Sequence, residues 1–237
     1  MSIKVLIPIG LTVVFTLGLF LAGSLSGKLG ITISSNSYLN FQANYQLLLL
    51  LVAVMSLLAT YLLNKPNFME YFSFGQIAAS GNELKIFGIK QGDSWLKTGL
   101  SLSVVITSVT ALFMFFQLKN NNVDWSILQS GIIWILLFSL TNSFGEEMIY
   151  RIGLVAPLKG ILAPATIFLV SAIIFGLAHI KGMPSGIIGM SLAGILGYVL
   201  AKSVFETHGF FWAWTIHFLQ DMVIMGSLYL MNVAKST

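Results

Sequence analysis

The sequence predicts an all-α, polytopic membrane protein: a bundle of about seven transmembrane helices, or eight, around an intramembrane polar site. Composition is the first observation behind this. Of 237 residues, 57% are hydrophobic and only 8% charged, with a mean hydropathy of +0.90. A soluble domain carries about 25% charged residues, so this chain cannot cover a globular surface with polar groups. A soluble enzyme, a nucleic-acid binder and a disordered chain are thereby excluded. The second observation is the recurrence of apolar runs close to the ~20 residues that a helix needs to cross a bilayer core. The third is the confinement of most cations to the edges of those runs.

The runs fall at roughly residues 5–22, 45–63, 98–118, 127–155, 161–179, 185–202 and 210–231. The first resembles a signal peptide, with Lys4 before it and Ala22-Gly23-Ser24 after it. Its apolar stretch exceeds the usual 7–15 residues of such a region, so it reads as a retained span. Lys4, Lys28, Lys65, Lys97, Lys119, Lys159, Lys181, Lys202 and Lys235 sit at span edges, where lysines snorkel to water. Trp125, Tyr198, Trp212 and Trp214 fit an interfacial aromatic belt. His208, beside Lys202 and Glu206, reads as a solvated edge residue.

Residues 1–125 read as N-terminal transmembrane helices and residues 126–237 as the helical core carrying the motifs. Loop 64–97 holds Lys65, Lys85, Lys90 and Lys97. By the positive-inside rule that loop, and with it the N-terminus, is expected to be cytoplasmic. Within it, residues 84–90 suit either an interfacial segment or a plain solvated loop. The sixth run, rich in glycine from Gly186 to Gly197, suits close helix packing.

Function is read from what remains. The chain has 11 Lys, one Arg and no Cys, which removes disulfides, thiolate zinc sites and a cysteine nucleophile. Away from the span edges, the titratable residues reduce to Glu146, Glu147, Arg151, His179, His217 and Asp221. Each charge at the centre of a spanning helix costs roughly 2.5–3.5 kcal/mol on insertion scales, so such a group marks a site. Glu147 and Arg151 are four residues apart, as an ion pair on one helix face requires. Glu146 points about 100° away from Glu147 and is free to face another neighbour. Phe175 and His179, and His217 and Asp221, repeat the four-residue spacing.

Depth tests whether these groups can meet. At a rise of about 1.5 Å per residue, Glu146 and His179 lie about 16 and 22 Å from the loop joining their helices. From the same side, His217 and Asp221 lie about 10 and 16 Å deep. All four fall within one slab, so side chains and a water can connect them. Glu146 then suits a general base, with His179 orienting or sharing the proton, and His217 and Asp221 suit oxyanion stabilisation. Glu146, His179 and His217 could instead hold zinc, since two His and a carboxylate are a recurrent ligand set. No His-Glu-x-x-His is present, and activation of water without a metal is the slightly preferred version.

Three short motifs carry a resemblance. Glu146-Glu147-Met148-Ile149-Tyr150-Arg151, Phe175-Gly176-Leu177-Ala178-His179 and His217-Phe218-Leu219-Gln220-Asp221, in this order, resemble the CAAX protease and bacteriocin-processing (Abi) family of intramembrane endopeptidases. The resemblance spans about residues 142–222. It implies a protease cutting a membrane-associated peptide or protein, which can be lipidated, with Glu146 as base, His179 as its partner, His217 and Asp221 at the oxyanion, and Arg151 holding Glu147. It leaves glutamate-type and metal-dependent mechanisms open. Asp221 stands where Asn is common in the family, and an ionised Asp cannot donate to an oxyanion. Members often have eight spans, so against the seven counted here a further helix is either missing or hidden within residues 32–44. Two other readings of the same polar slab are a non-catalytic scaffold, as in immunity or sensor regulation, and a proton-coupled transporter. The internal repeats usual in transporters are not visible.

Overall fold

A computed structural model of the chain describes residues 2–119 and 123–233; Lys235 lies outside them. The long helices are α1 (Ile3–Leu25), α2 (Ser37–Leu63), α4 (Trp95–Leu118), α5 (Leu128–Glu147), α7 (Pro164–Ala178), α8 (Gly186–Thr207) and α9 (Phe211–Val233). Two short ones among the described residues are α3 (Lys65–Tyr71) and α6 (Gly153–Leu158). Their starts follow from local chemistry. Asn36 Oδ1 accepts from the Tyr38 and Leu39 amides at the head of α2, Ser94 Oγ accepts from the Leu96 amide at α4, and Pro164 opens α7, where no amide is needed.

Among the described residues, six helical segments are long and apolar enough to cross a membrane, one of them the 34-residue Trp125–Leu158. The seventh long helix, α9, is 23 residues and carries His217, Gln220 and Asp221 within its apolar run. The protein is thus an integral, multi-pass helical bundle. No separate helix occupies residues 32–44: from Ser37 on, they form the first turns of α2.

Helices α7 and α8 pack most extensively, then α5 with α9 and α4 with α9. Glycines explain the closest of these contacts. A Cβ on Gly176 would stand 2.7 Å from the Met190 carbonyl oxygen, and one on Gly197 would stand 3.3 Å from Phe175. Gly176→Val should therefore force α7 from α8 and lower stability by about 1–3 kcal/mol. Thermal unfolding in detergent reads this, and an unchanged melting temperature would refute the packing argument.

One end of the bundle is closed by polar contacts that the sequence reading did not anticipate. Lys202 is buried and paired with Glu206, which also accepts from Trp95 Nε1 at 2.8 Å and from the Asn82 side chain at 2.9 Å. His208 is not a free surface residue: its ring contacts Glu70 and stacks on Tyr71. Partial burial pushes the Glu70 carboxyl up, but its hydrogen bonds with Lys159 and His208, and their charges, outweigh this and hold it below the usual carboxylate range. Trp212 leaves the expected belt too. It is 2% exposed and donates from Nε1 to the Ile77 carbonyl at 2.8 Å. Residues 84–90 form a compact turn, closed by a bridge between Leu84 and Ile89. Together these contacts fasten the 64–94 segment onto the ends of α6 and α8 and the start of α9.

Candidate active site

The polar residues converge where α5, α7 and α9 meet. Helix α5 ends in Glu146 and Glu147, and a π-helical turn, Met148–Ile152, follows before α6. Wide turns of this kind occur frequently at functional sites. Its Tyr150 and Arg151 are fully enclosed.

Arg151 Nε lies 3.2 Å from Glu147 Oε2, both side chains being wholly buried. Among the described residues neither atom makes an aligned hydrogen bond, so the attraction is Coulombic. Arg151 also donates to Ser171 Oγ at 3.4 Å, and its guanidinium carbon sits 4.1 Å from the centre of the Phe175 ring. Phe175 packs at the centre of these groups. It lies between Arg151 and His179, whose ring centre is 4.3 Å from its own, and its ring is edge-on to His217.

Glu147 has a second partner that the sequence reading missed. Its Oε1 is 2.8 Å from His217 Nδ1. A carboxylate accepts, so Nδ1 carries the proton and Nε2 faces the other acids, 3.8 Å from Glu146 Oε2 and 3.7 Å from Asp221 Oδ1. His179 is oriented in the same way. Its Nδ1 is 2.8 Å from the Phe175 carbonyl oxygen, which can only accept, so Nε2 points toward Glu146 Oε2 at 3.7 Å. These gaps are too long for direct hydrogen bonds, and a water seated beside them could contact Glu146 Oε2 and an imidazole nitrogen together.

Asn142, one turn before Glu146, was also missed. Its Nδ2 lies 3.3 Å from Glu146 Oε1 and 3.0 Å from Asp221 Oδ2. The signal was available: a carboxamide four residues upstream of Glu146 shares its helix face. Gln46 of α2 reaches Asn142 Oδ1 at 3.4 Å.

The structure thus brings together Glu146, Glu147, Arg151, Phe175, His179, His217 and Asp221. His179 is the open member, with its side chain 29% exposed against 10% or less for the carboxylates and His217. Beside it lies a cavity of about 260 Å³, lined by His179, His217 and Asp221, by Leu102, Ile106 and Met114 of α4, and by Leu192, Leu196 and Val199 of α8. Val105 and Val109 on one wall and Ile195 on the other are more than half exposed, so this apolar cleft opens sideways out of the bundle.

Residues 127–223 match the family model described as Rce1-like, type II CAAX prenyl endopeptidase Rce1-like. The resemblance to the CAAX protease family is thereby shown. The match covers less than half of the chain and contains every residue of the three motifs. No curated protein and no solved structure gives a significant match.

The metal associated with the CAAX protease family can be tested against these donors. Both Nε2 atoms and Glu146 Oε2 are chemically suitable, but among the described residues no three His, Asp or Glu side chains are arranged to hold a metal ion. The residues as placed do not fit one, and no step below passes through it.

Proposed function

We propose that the protein is an intramembrane endopeptidase that hydrolyses a peptide bond of a membrane-associated peptide or protein by Glu/His activation of water. The observation that carries this reading is Glu146 Oε2: a buried carboxylate oxygen without a hydrogen-bond partner among the described residues, facing the unprotonated nitrogen of His179. An orphaned acceptor of this kind is costly unless it has a task.

A water between Glu146 and His179 would give up a proton to them as its oxygen bonds to the scissile carbonyl carbon. His217, carrying a second proton on Nε2, would donate to the oxyanion, and Glu147 at Nδ1 would keep the ring in place, as the buried acid of a catalytic triad does. The C–N bond then breaks, the captured proton passes to the leaving amine, and the other product departs as a carboxylate. The apolar walls of the cleft suit a hydrocarbon chain attached to the substrate, so a lipidated peptide is the favoured class.

The function is tested by measuring C-terminal tripeptide release from prenylated and unmodified peptides in proteoliposomes. Release that is faster from the prenylated peptide and persists after dialysis against chelator supports the reading. Absence of cleavage of either peptide, with folded protein, would leave the scaffold reading in its place.

Asp221 has a distinct expectation. Its Oδ2 accepts from Asn142, and Asn at 221 can preserve that bond through its own oxygen. Asp221→Asn should keep kcat within about tenfold, whereas Asp221→Leu should lose roughly 10²-fold or more. Equal losses in the two variants would show that the charge, not the polar contact, is what position 221 contributes.

A further inference from the structure

We propose that Asn142 is a positioning residue that selects which oxygen of Glu146 faces the reaction centre. The inference rests on the proposed protease reading for its kinetic consequence, but its geometry stands alone.

A carboxylate has two equivalent oxygens on a soft terminal torsion, so a buried Glu is free to present either oxygen, or neither, to a bound water. Asn142 removes that freedom. Glu146 and Asp221 carboxylates can only accept when ionised, and both approach the same end of the Asn142 amide, at 3.3 and 3.0 Å. That end must therefore be the NH₂ group, with one hydrogen for each acid. Glu146 Oε1 is thereby engaged, and Oε2 is left toward His179 and His217. The opposite end of the amide is anchored as well: Asn142 Oδ1 accepts from Gln46 Nε2 at 3.4 Å, and Gln46 Oε1 accepts from the Thr141 hydroxyl at 2.9 Å. Helix α2 thus braces a carboxamide on α5, which fixes acids on α5 and α9. The same two N–H groups separate two carboxylates that would otherwise repel each other in a low-dielectric site.

A residue with this role changes the placement of the activated water rather than substrate affinity. Misplacement on the ångström scale costs up to about 10²-fold in rate. Asn142→Leu, which keeps the branching at Cγ and removes the donors, should therefore lower kcat on a farnesylated fluorogenic peptide by roughly 10–100-fold with KM within about threefold. Asn142→Ser, which retains one donor, should recover part of the loss. Asn142→Asp, with the parent's shape and no donor, should behave like Leu. A second readout needs no substrate: the ¹⁵N resonances of histidine-labelled protein in detergent. The Nε2 signals of His179 and His217 should move in Asn142→Leu and Asn142→Asp, while those of His208, at the end of the bundle, stay fixed.

The proposal is overturned if kcat of the folded Leu and Asp variants stays within threefold of the parent, if the loss lies wholly in KM, or if the two ring signals do not move. A parent protein that cleaves no peptide would overturn the protease reading instead, and the ring-nitrogen spectra would still decide the role of Asn142.

Discussion

Glu146→Gln is expected to reduce peptide hydrolysis by roughly 10²–10⁴-fold, the contribution of a positioned general base, and to leave the protein folded. Glutamine keeps the shape of the side chain, and its carbonyl oxygen can still accept from Asn142. What it lacks is the ability to take a proton from water. The side chain is 10% exposed and its nearest imidazole nitrogens are 3.7 and 3.8 Å away, so neutralising it removes only these long charge contacts and no close ion pair. Expression, melting temperature and substrate binding should stay near the parent while turnover collapses. Turnover within threefold of the parent would exclude Glu146 as the base, and with it the Glu/His mechanism.

Arg151→Ala is expected to act on stability first. Removing one member of a buried pair leaves an uncompensated charge, which costs about 3–5 kcal/mol. Here Glu147, 0% exposed, would keep His217 Nδ1 at Oε1 but lose the charge facing Oε2, and the face of Phe175 would lose the guanidinium packed on it. The double variant Glu147→Leu/Arg151→Met separates two roles. Replacing both charges by apolar groups should recover much of the stability, yet kcat should remain low because His217 Nδ1 has lost its acceptor. A double variant that is both stable and active would show that the Glu147–His217 contact contributes nothing to turnover. One as unstable as Arg151→Ala would show that the pair is not the source of the cost.

The fold and the grouping of the polar side chains at the candidate site were legible because each rests on a local property. Scarce charge identified the membrane protein, and four-residue spacings placed Glu147 with Arg151 and His217 with Asp221 on common faces. Rise per residue then put Glu146 and His179 within one slab of the membrane. What was not legible depends on neighbours distant in sequence. Whether Glu147 also reaches His217 is decided by how α9 rotates against α5. The pairing of His208 with Glu70 requires α3 to fold back onto the end of α8, and Lys202 is buried because loop 76–94 covers Glu206. Trp212 looked like a belt residue from its neighbourhood in sequence, but the Ile77 carbonyl draws it inward. Asn142 was visible and overlooked, since a single neutral polar residue in an apolar run carries no charge to flag it.

The cleft between α4 and α8 opens to the side of the bundle, not only along its axis. A substrate arriving that way searches in two dimensions, and what governs its encounter is the number of substrate molecules per lipid. Adding inert lipid at constant total peptide should then slow cleavage by surface dilution, although nothing in the aqueous phase has changed. A Michaelis constant for this protein would have its natural unit in mole fraction of the bilayer.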